Sequence, residues 1–162
     1  MPRSIPATRR TAADRADAAS APVPGELPLA EYRALAELRY QVRRFLRFSE
    51  EAARAARLEP QQHQLLLAIK GLPETQRPTI KALAERLCVK HQTTVALVDH
   101  LEARGLLVRE RGAQDRREVL LRLTGPGESV LRRLSVLHRE QFRTIAPVLV
   151  RALGEILPNT GE

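Results

Sequence analysis

The sequence predicts a mainly α-helical protein interrupted by one small β-hairpin. Three observations predict it. Apolar residues recur every three or four positions over most of the chain. That period drops to two near residues 106–123. Aromatic residues are scarce, with no Trp, two Tyr and three Phe, and the apolar content is mainly Leu, Ala and Val, which suits helices packed on helices.

Residues 1–27 are rich in Ala, Pro, Ser and charge and poor in large apolar side chains. Such a segment buries too little surface to offset its ordering entropy, so a disordered N-terminal arm is expected. From Pro28 the pattern changes. Leu29, Tyr32, Leu35, Leu38, Val42, Phe45, Leu46 and Ser49 mark one face of a long amphipathic helix reaching about residue 57. The Leu58-Glu59-Pro60 step ends it, because a residue before proline avoids the helical region. A second helix is expected over 61–70, stopped by Gly71 and Pro73. Residues 74–78 read as a loop, and Thr79 reads as the N-cap of a third helix ending at Leu87.

A tight turn at Cys88-Val89-Lys90 leads to a fourth helix over 91–104, closed by Gly105. On it, Val95, Val98 and Leu101 are expected to pack inward, with Leu97 on the flank. Residues 106–111 and 116–123 read as paired strands around a turn, with Val119, Leu121 and Leu123 on one face. One hairpin alone is marginal, so it must lean on the helices. The last helical region opens at Thr124-Gly125-Pro126-Gly127, and Pro147 is expected to kink or split it.

The 162 residues suffice for one domain with a real core, or for a small module plus an association element. The net charge of +8 is spread over the body rather than held in a tail. It permits binding to a polyanion and speeds encounter with one. A single cysteine, Cys88, excludes an intramolecular disulfide, and a reducing, cytoplasmic setting is expected. Cys88 is expected to pack at its turn rather than to sense redox state. No apolar run of about 18 residues predicts a membrane span. The N-terminus lacks the apolar core of a secretory signal.

No Gly-rich phosphate loop or nucleophile motif is present, so no catalysis is expected. His63, His91, His100 and His138 show no tight metal-ligand spacing, and neither metal nor cofactor is expected.

Two short helices joined by a tight turn form a helix-turn-helix unit. The second of them can enter a major groove end-on. Its first turns carry Lys90, His91, Gln92, Thr93, Thr94 and Ala96, all polar or small, as base reading and close approach require. The hairpin behind it carries Arg109, Arg111, Arg116, Arg117 and Arg122. An arginine at a hairpin tip can reach the minor groove, where negative potential is concentrated. Asp115 is placed to hold a neighbouring guanidinium extended.

Residues 83–124 resemble the core of the MarR family. The most specific pieces are Leu97-Val98-Asp99-His100-Leu101-Glu102 before Gly105-Leu106, and Asp115-Arg116-Arg117 before Leu123-Thr124. The flanking long helices extend the resemblance to about 28–157. It implies a winged helix-turn-helix DNA-binding domain over 59–124. It also implies a dimerisation helix over 28–58 and C-terminal dimerisation helices over 125–162. The implied activity is transcription regulation, as a repressor, by a homodimer on a pseudo-palindromic duplex DNA site.

By position, Lys90, His91, Gln92, Thr93 and Ala96 fall on the family's reading face. Arg117 becomes the wing-tip arginine, Asp115 its orienting acid, and Thr79 a phosphate contact through its backbone N–H or hydroxyl. Lys90 replaces a small capping residue, and Val95-Ala96 replace a frequent Ser-Arg pair, which gives His91 more weight. The family also implies a small lipophilic or phenolic effector, with Tyr40, Arg43, Arg44, Phe48 and His63 as candidates to line its pocket. The competing reading is a helical protein-interaction module whose basic hairpin docks a protein partner.

Overall fold

A computed structural model describes residues 27–112 and 118–157. In chain order it contains α1 (Leu29–Ala55), α2 (Pro60–Lys70), α3 (Ile80–Leu87), α4 (His91–Ala103), β1 (Leu107–Arg111), β2 (Val119–Leu123) and α5 (Gly125–Ile156). The expected mainly helical fold with one antiparallel hairpin is observed. The arm expected over 1–27 lies outside the described residues, Leu27 excepted.

Leu65 and Leu66 of α2, Leu83 of α3 and Leu97, Val98 and Leu101 of α4 close on one another with almost no exposure. The hairpin leans on this centre as required, through Leu107, Leu121 and Leu123. Val119 shares their face but sits beyond the core at the far end of the strand, 40% exposed. The register pairs Leu107 with Leu123 and Arg111 with Val119. Leu131 and Leu134 bring α5 into the same core, and α1 packs along α5.

Helix ends follow a common local rule. After α1, the Leu58 N–H donates to the Ala53 carbonyl (2.9 Å) and the Arg57 N–H to that of Arg54 (2.9 Å). The same pair of bonds closes α3 at Cys88-Val89 and α4 at Gly105-Leu106. This motif needs one residue in the left-handed region. Gly105 takes it without steric cost (φ 66°), but Arg57 (φ 58°) and Cys88 (φ 54°) take it with a Cβ. Pro60 does not merely end α1. It occupies the first turn of α2, where a missing N–H costs nothing, behind a capping box between Glu59 and Gln62.

Pro147 neither splits α5 nor ends it. One helix of 32 residues runs through it, so the plural C-terminal helices expected from the sequence are a single element. The proline ring removes one backbone hydrogen bond, and the packing along α1 carries the helix across the gap.

The start of α5 is held by unusually close contact. Thr124 caps it, accepting from the Gly127 N–H (3.2 Å) while its own hydroxyl donates to the Gly105 carbonyl (2.6 Å). The Thr124 N–H donates to the Leu106 carbonyl (3.1 Å). A Cβ on Gly127 would fall 1.9 Å from that same Leu106 oxygen, whereas one on Gly125 meets nothing within 4 Å. Gly127→Ala is therefore expected to destabilise the protein by about 1–3 kcal/mol or more in urea unfolding. Gly125→Ala should be neutral or slightly stabilising. Equal midpoints for the two variants would refute the close approach.

Candidate nucleic-acid interface and adjoining cavity

The helix-turn-helix is built from α3 and α4. Thr79 caps α3 as expected, its Oγ1 accepting from the Ala82 N–H (3.2 Å). Its backbone N–H already donates to the Arg77 carbonyl (2.8 Å), so of the two donors expected to meet a phosphate only the hydroxyl remains. Lys90 enters α4 with extended dihedrals and no side-chain cap.

The buried seam of α4 is Thr94, Leu97, Val98 and Leu101, at spacings of three, one and three. Two expectations change. Thr94 is fully buried, with its hydroxyl on the Lys90 carbonyl (3.5 Å), and is removed from the reading face. Val95, expected inside, is only half-buried. The rotation leaves Gln92 and Ala96 exposed on the opposite side, with Thr93 half-buried at its edge, while Lys90 and His91 are exposed at the helix's N-terminal end. Cys88 is exposed, contrary to its expected packing, because its left-handed backbone turns the residue out at the helix end.

The hairpin is fastened to α4 by one arginine. The Arg109 guanidinium donates to Asp99 (2.5 Å) and to Glu102, and its backbone N–H donates to Glu102 (3.1 Å). Burial pushes the Arg109 pKa down, but the two carboxylates outweigh this and hold it above its usual value. Across the strands, Arg122 pairs with Glu110 (2.6 Å), and its hydrogen bond holds that carboxyl below its ordinary range. Arg77 pairs with Glu118. The Leu121 N–H donates to the Pro78 carbonyl (2.9 Å), which ties β2 to the loop before α3. Arg109 and Arg122, counted from sequence among the hairpin's basic residues, are thus committed to internal pairs. Asp115, Arg116 and Arg117 lie outside the described residues.

A second feature lies between α1, α2 and α5: a cavity of about 470 Å³. Phe45, Leu46, Leu67 and Phe142 give it apolar walls. His63 and His138 lie in its lining with ring centroids 4.8 Å apart. His138 is held at both nitrogens, Nδ1–H donating to the Leu134 carbonyl (2.6 Å) and Nε2 facing the Ser49 hydroxyl (2.8 Å). His63 is 3% exposed, and its Nδ1 has no partner among the described residues.

Of the five residues expected to line a pocket, only His63 lies here. Tyr40, Arg44 and Phe48 line a separate open groove between α1 and α5, with Arg44 stacked 5.7 Å from the Tyr40 ring. Arg43 is exposed on α1 and lines neither. The sequence reading missed Phe45, Ser49, His138 and Phe142. Phe45 and Ser49 share the helical spacing of the expected stripe, but spacing does not say which neighbour a face meets.

Burial, and then the charge of His138, lower the His63 pKa from 6.5 to about 4. Between those values the unfolded chain holds a proton that the folded chain refuses, so stability is lost as pH falls through this window and is flat above it. The stability advantage of wild type over His63→Gln should shrink by roughly 2–3 kcal/mol between about pH 7 and 4. Urea unfolding at both pH values checks it, and a constant gap would refute a neutral buried imidazole.

Comparison with known proteins follows the same outline. The MarR family model matches residues 58–118. The PcaV transcriptional regulator of Streptomyces coelicolor, solved with its natural ligand, is 30% identical, with 65% of this chain and 76% of that chain covered and a TM-score of 0.50. The transcriptional repressor CouR, solved on a 23-mer DNA duplex, is 29% identical over 82% of this chain and 88% of that one, with a TM-score of 0.51. AbsC of Streptomyces coelicolor, a MarR family transcriptional regulator, is 20% identical and covers 82% of this chain and 92% of its own, with a TM-score of 0.62. No curated protein sequence matches the chain. No helix among the described residues is long and apolar enough to cross a membrane. With its helix-turn-helix, its hairpin wing and these relatives, the chain belongs to the MarR family of winged-helix, DNA-binding transcription regulators.

Proposed function

We propose that this regulator is a repressor that binds a pseudo-palindromic operator as a homodimer, and that a small lipophilic or phenolic ligand relieves it. The observation that carries the reading is the division of α4: a seam buried in the core, Gln92 and Ala96 exposed opposite it, and His91 exposed at the helix's first turn. Side chains so placed meet base edges when the helix enters a major groove. Lys90 and the Thr79 hydroxyl flank them as phosphate contacts. Arg117, oriented by Asp115, reads the minor groove, with Arg116 on the backbone beside it. That CouR is solved on duplex DNA at 29% identity supports this placement.

The dimer reading rests on α1 and α5. They expose Leu29, Tyr32, Val136, Leu137, Val150 and Leu153, each at least 43% accessible. Apolar surface on that scale marks an association face. In this scheme residues 28–58 and 125–162 join the two copies, and residues 59–124 read half-sites about 34 Å apart. The cavity beside His63 is the effector site, a reading supported by the ligand-bound PcaV structure at 30% identity.

Selection of bound sequences from a random duplex pool should return two half-sites about one helical turn apart. Gln92→Ala should cost about 1–3 kcal/mol on the selected site and relax its base preference while leaving nonspecific binding intact. Arg117→Ala should weaken binding by a similar amount, about 1–3 kcal/mol. Affinity must fall steeply with added salt. A monomer in sedimentation, or salt-independent binding, would sink the proposal.

A further inference from the structure

We propose that α4 selects two base edges in each half-site: an adenine through Gln92, and a thymine methyl within two base pairs of it through Ala96. This rests on the reading of α4 as the helix that enters the major groove, and adds which bases it takes there.

Gln92, Ala96, Asp99 and Ala103 follow one another at helical spacing, and all are exposed. They form a single line along α4, opposite the seam of Thr94, Leu97, Val98 and Leu101. Asp99 holds its carboxylate on Arg109 (2.5 Å) and is thereby committed to the hairpin. Ala103 is the last residue of the helix. The N-terminal half of the line, Gln92 and Ala96, is therefore what meets base edges when the helix enters a groove by its first turns.

The chemistry of each residue narrows the choice of base. The Gln92 amide donates through its NH2 group and accepts through its oxygen. Adenine presents the matching pair, an N7 acceptor beside an N6 amine. Guanine shows two acceptors in their place, and each pyrimidine only one polar group. The Ala96 side chain neither donates nor accepts. The base-edge group it suits is the thymine methyl, whereas a polar edge set against it loses its water and gains no partner. One turn of helix separates the two residues by about 6 Å along the axis, and successive bases on a strand are about 3.4 Å apart. Ala96 reaches with a single carbon, so its contact brings the α4 backbone close to the base edges. Gln92, with its longer side chain, then spans to a pair one or two steps away.

The test uses the full chain, a random duplex pool, and then base analogues placed one at a time in the selected site. Wild type should select an adenine and a thymine within two base pairs of each other in each half-site. At that adenine, 7-deazaadenine, which lacks the N7 acceptor, should weaken binding roughly three- to tenfold. At the thymine, uracil, which lacks the methyl, should weaken it roughly fourfold. Gln92→Glu, whose side chain only accepts, should move the preference at the adenine position to cytosine, which offers its N4 amine. Ala96→Ser should bind the thymine and uracil duplexes equally. The analogue measurements need no variant, so a variant that fails to fold does not blunt the test. A selected site in which 7-deazaadenine costs nothing at every adenine, or uracil nothing at every thymine, overturns the proposal. So does a Gln92→Glu variant that still selects adenine. Any of these results on a site with two half-sites and steep salt dependence leaves the operator reading standing. If the pool yields no enriched sequence, that reading falls as well.

Discussion

The structure turns on one small junction, where the start of α5 is fastened to the end of α4. Thr124 bonds in three directions at once, to Gly105, Leu106 and Gly127. Gly127 comes so near the Leu106 carbonyl that no larger residue fits. Interiors are packed too densely to deform smoothly, so this contact fixes the angle between α4, the helix proposed to read DNA, and α5, the longest helix among the described residues. The hairpin is fixed in the same frame. It leaves α4 through Leu106, returns at Leu123, and is held along its length by Arg109 on Asp99 and Glu102.

That frame makes the cavity's position matter. Its walls belong to α1, α2 and α5, and α5 is the helix fastened to α4. The other side of α2 packs on α4 through the leucine core. In the proposed scheme a bound molecule that favours a different spacing of α2 and α5 also favours a different setting of α4. Coupling of this kind needs only unequal affinity for two arrangements. The His63–His138 pair bridges α2 and α5 at the place where such a change would be felt.

Much of this fold was legible in the sequence because its signals are local. Thr79 and the Thr124-Gly125-Pro126-Gly127 run each mark a helix start by chemistry that needs no distant partner. The hairpin announced itself by its change of period. What was missed depends on tertiary context. On α4 the true seam includes Thr94 rather than Val95. A rotation of one position decides it, and polarity alone pointed the wrong way, because Thr94 satisfies its hydroxyl on the preceding turn. Arg57 and Cys88 adopt a backbone that the sequence rules reserve for glycine, since burying Leu58 and closing the helix ends compensate. On α1 the aromatic residues were recognised, but Tyr40 and Phe45 face different neighbours, and only the packing of α2 and α5 reveals which.

The internal ion pairs of the hairpin bear on how much charge its stem leaves free. With Arg109 and Arg122 neutralised by Asp99, Glu102 and Glu110, the hairpin's stem offers little free charge to a passing duplex. Attraction to random sequence grows with the number of phosphates neutralised, and this stem neutralises few. In the proposed scheme the stem's part is then to hold the wing in position rather than to grip phosphates.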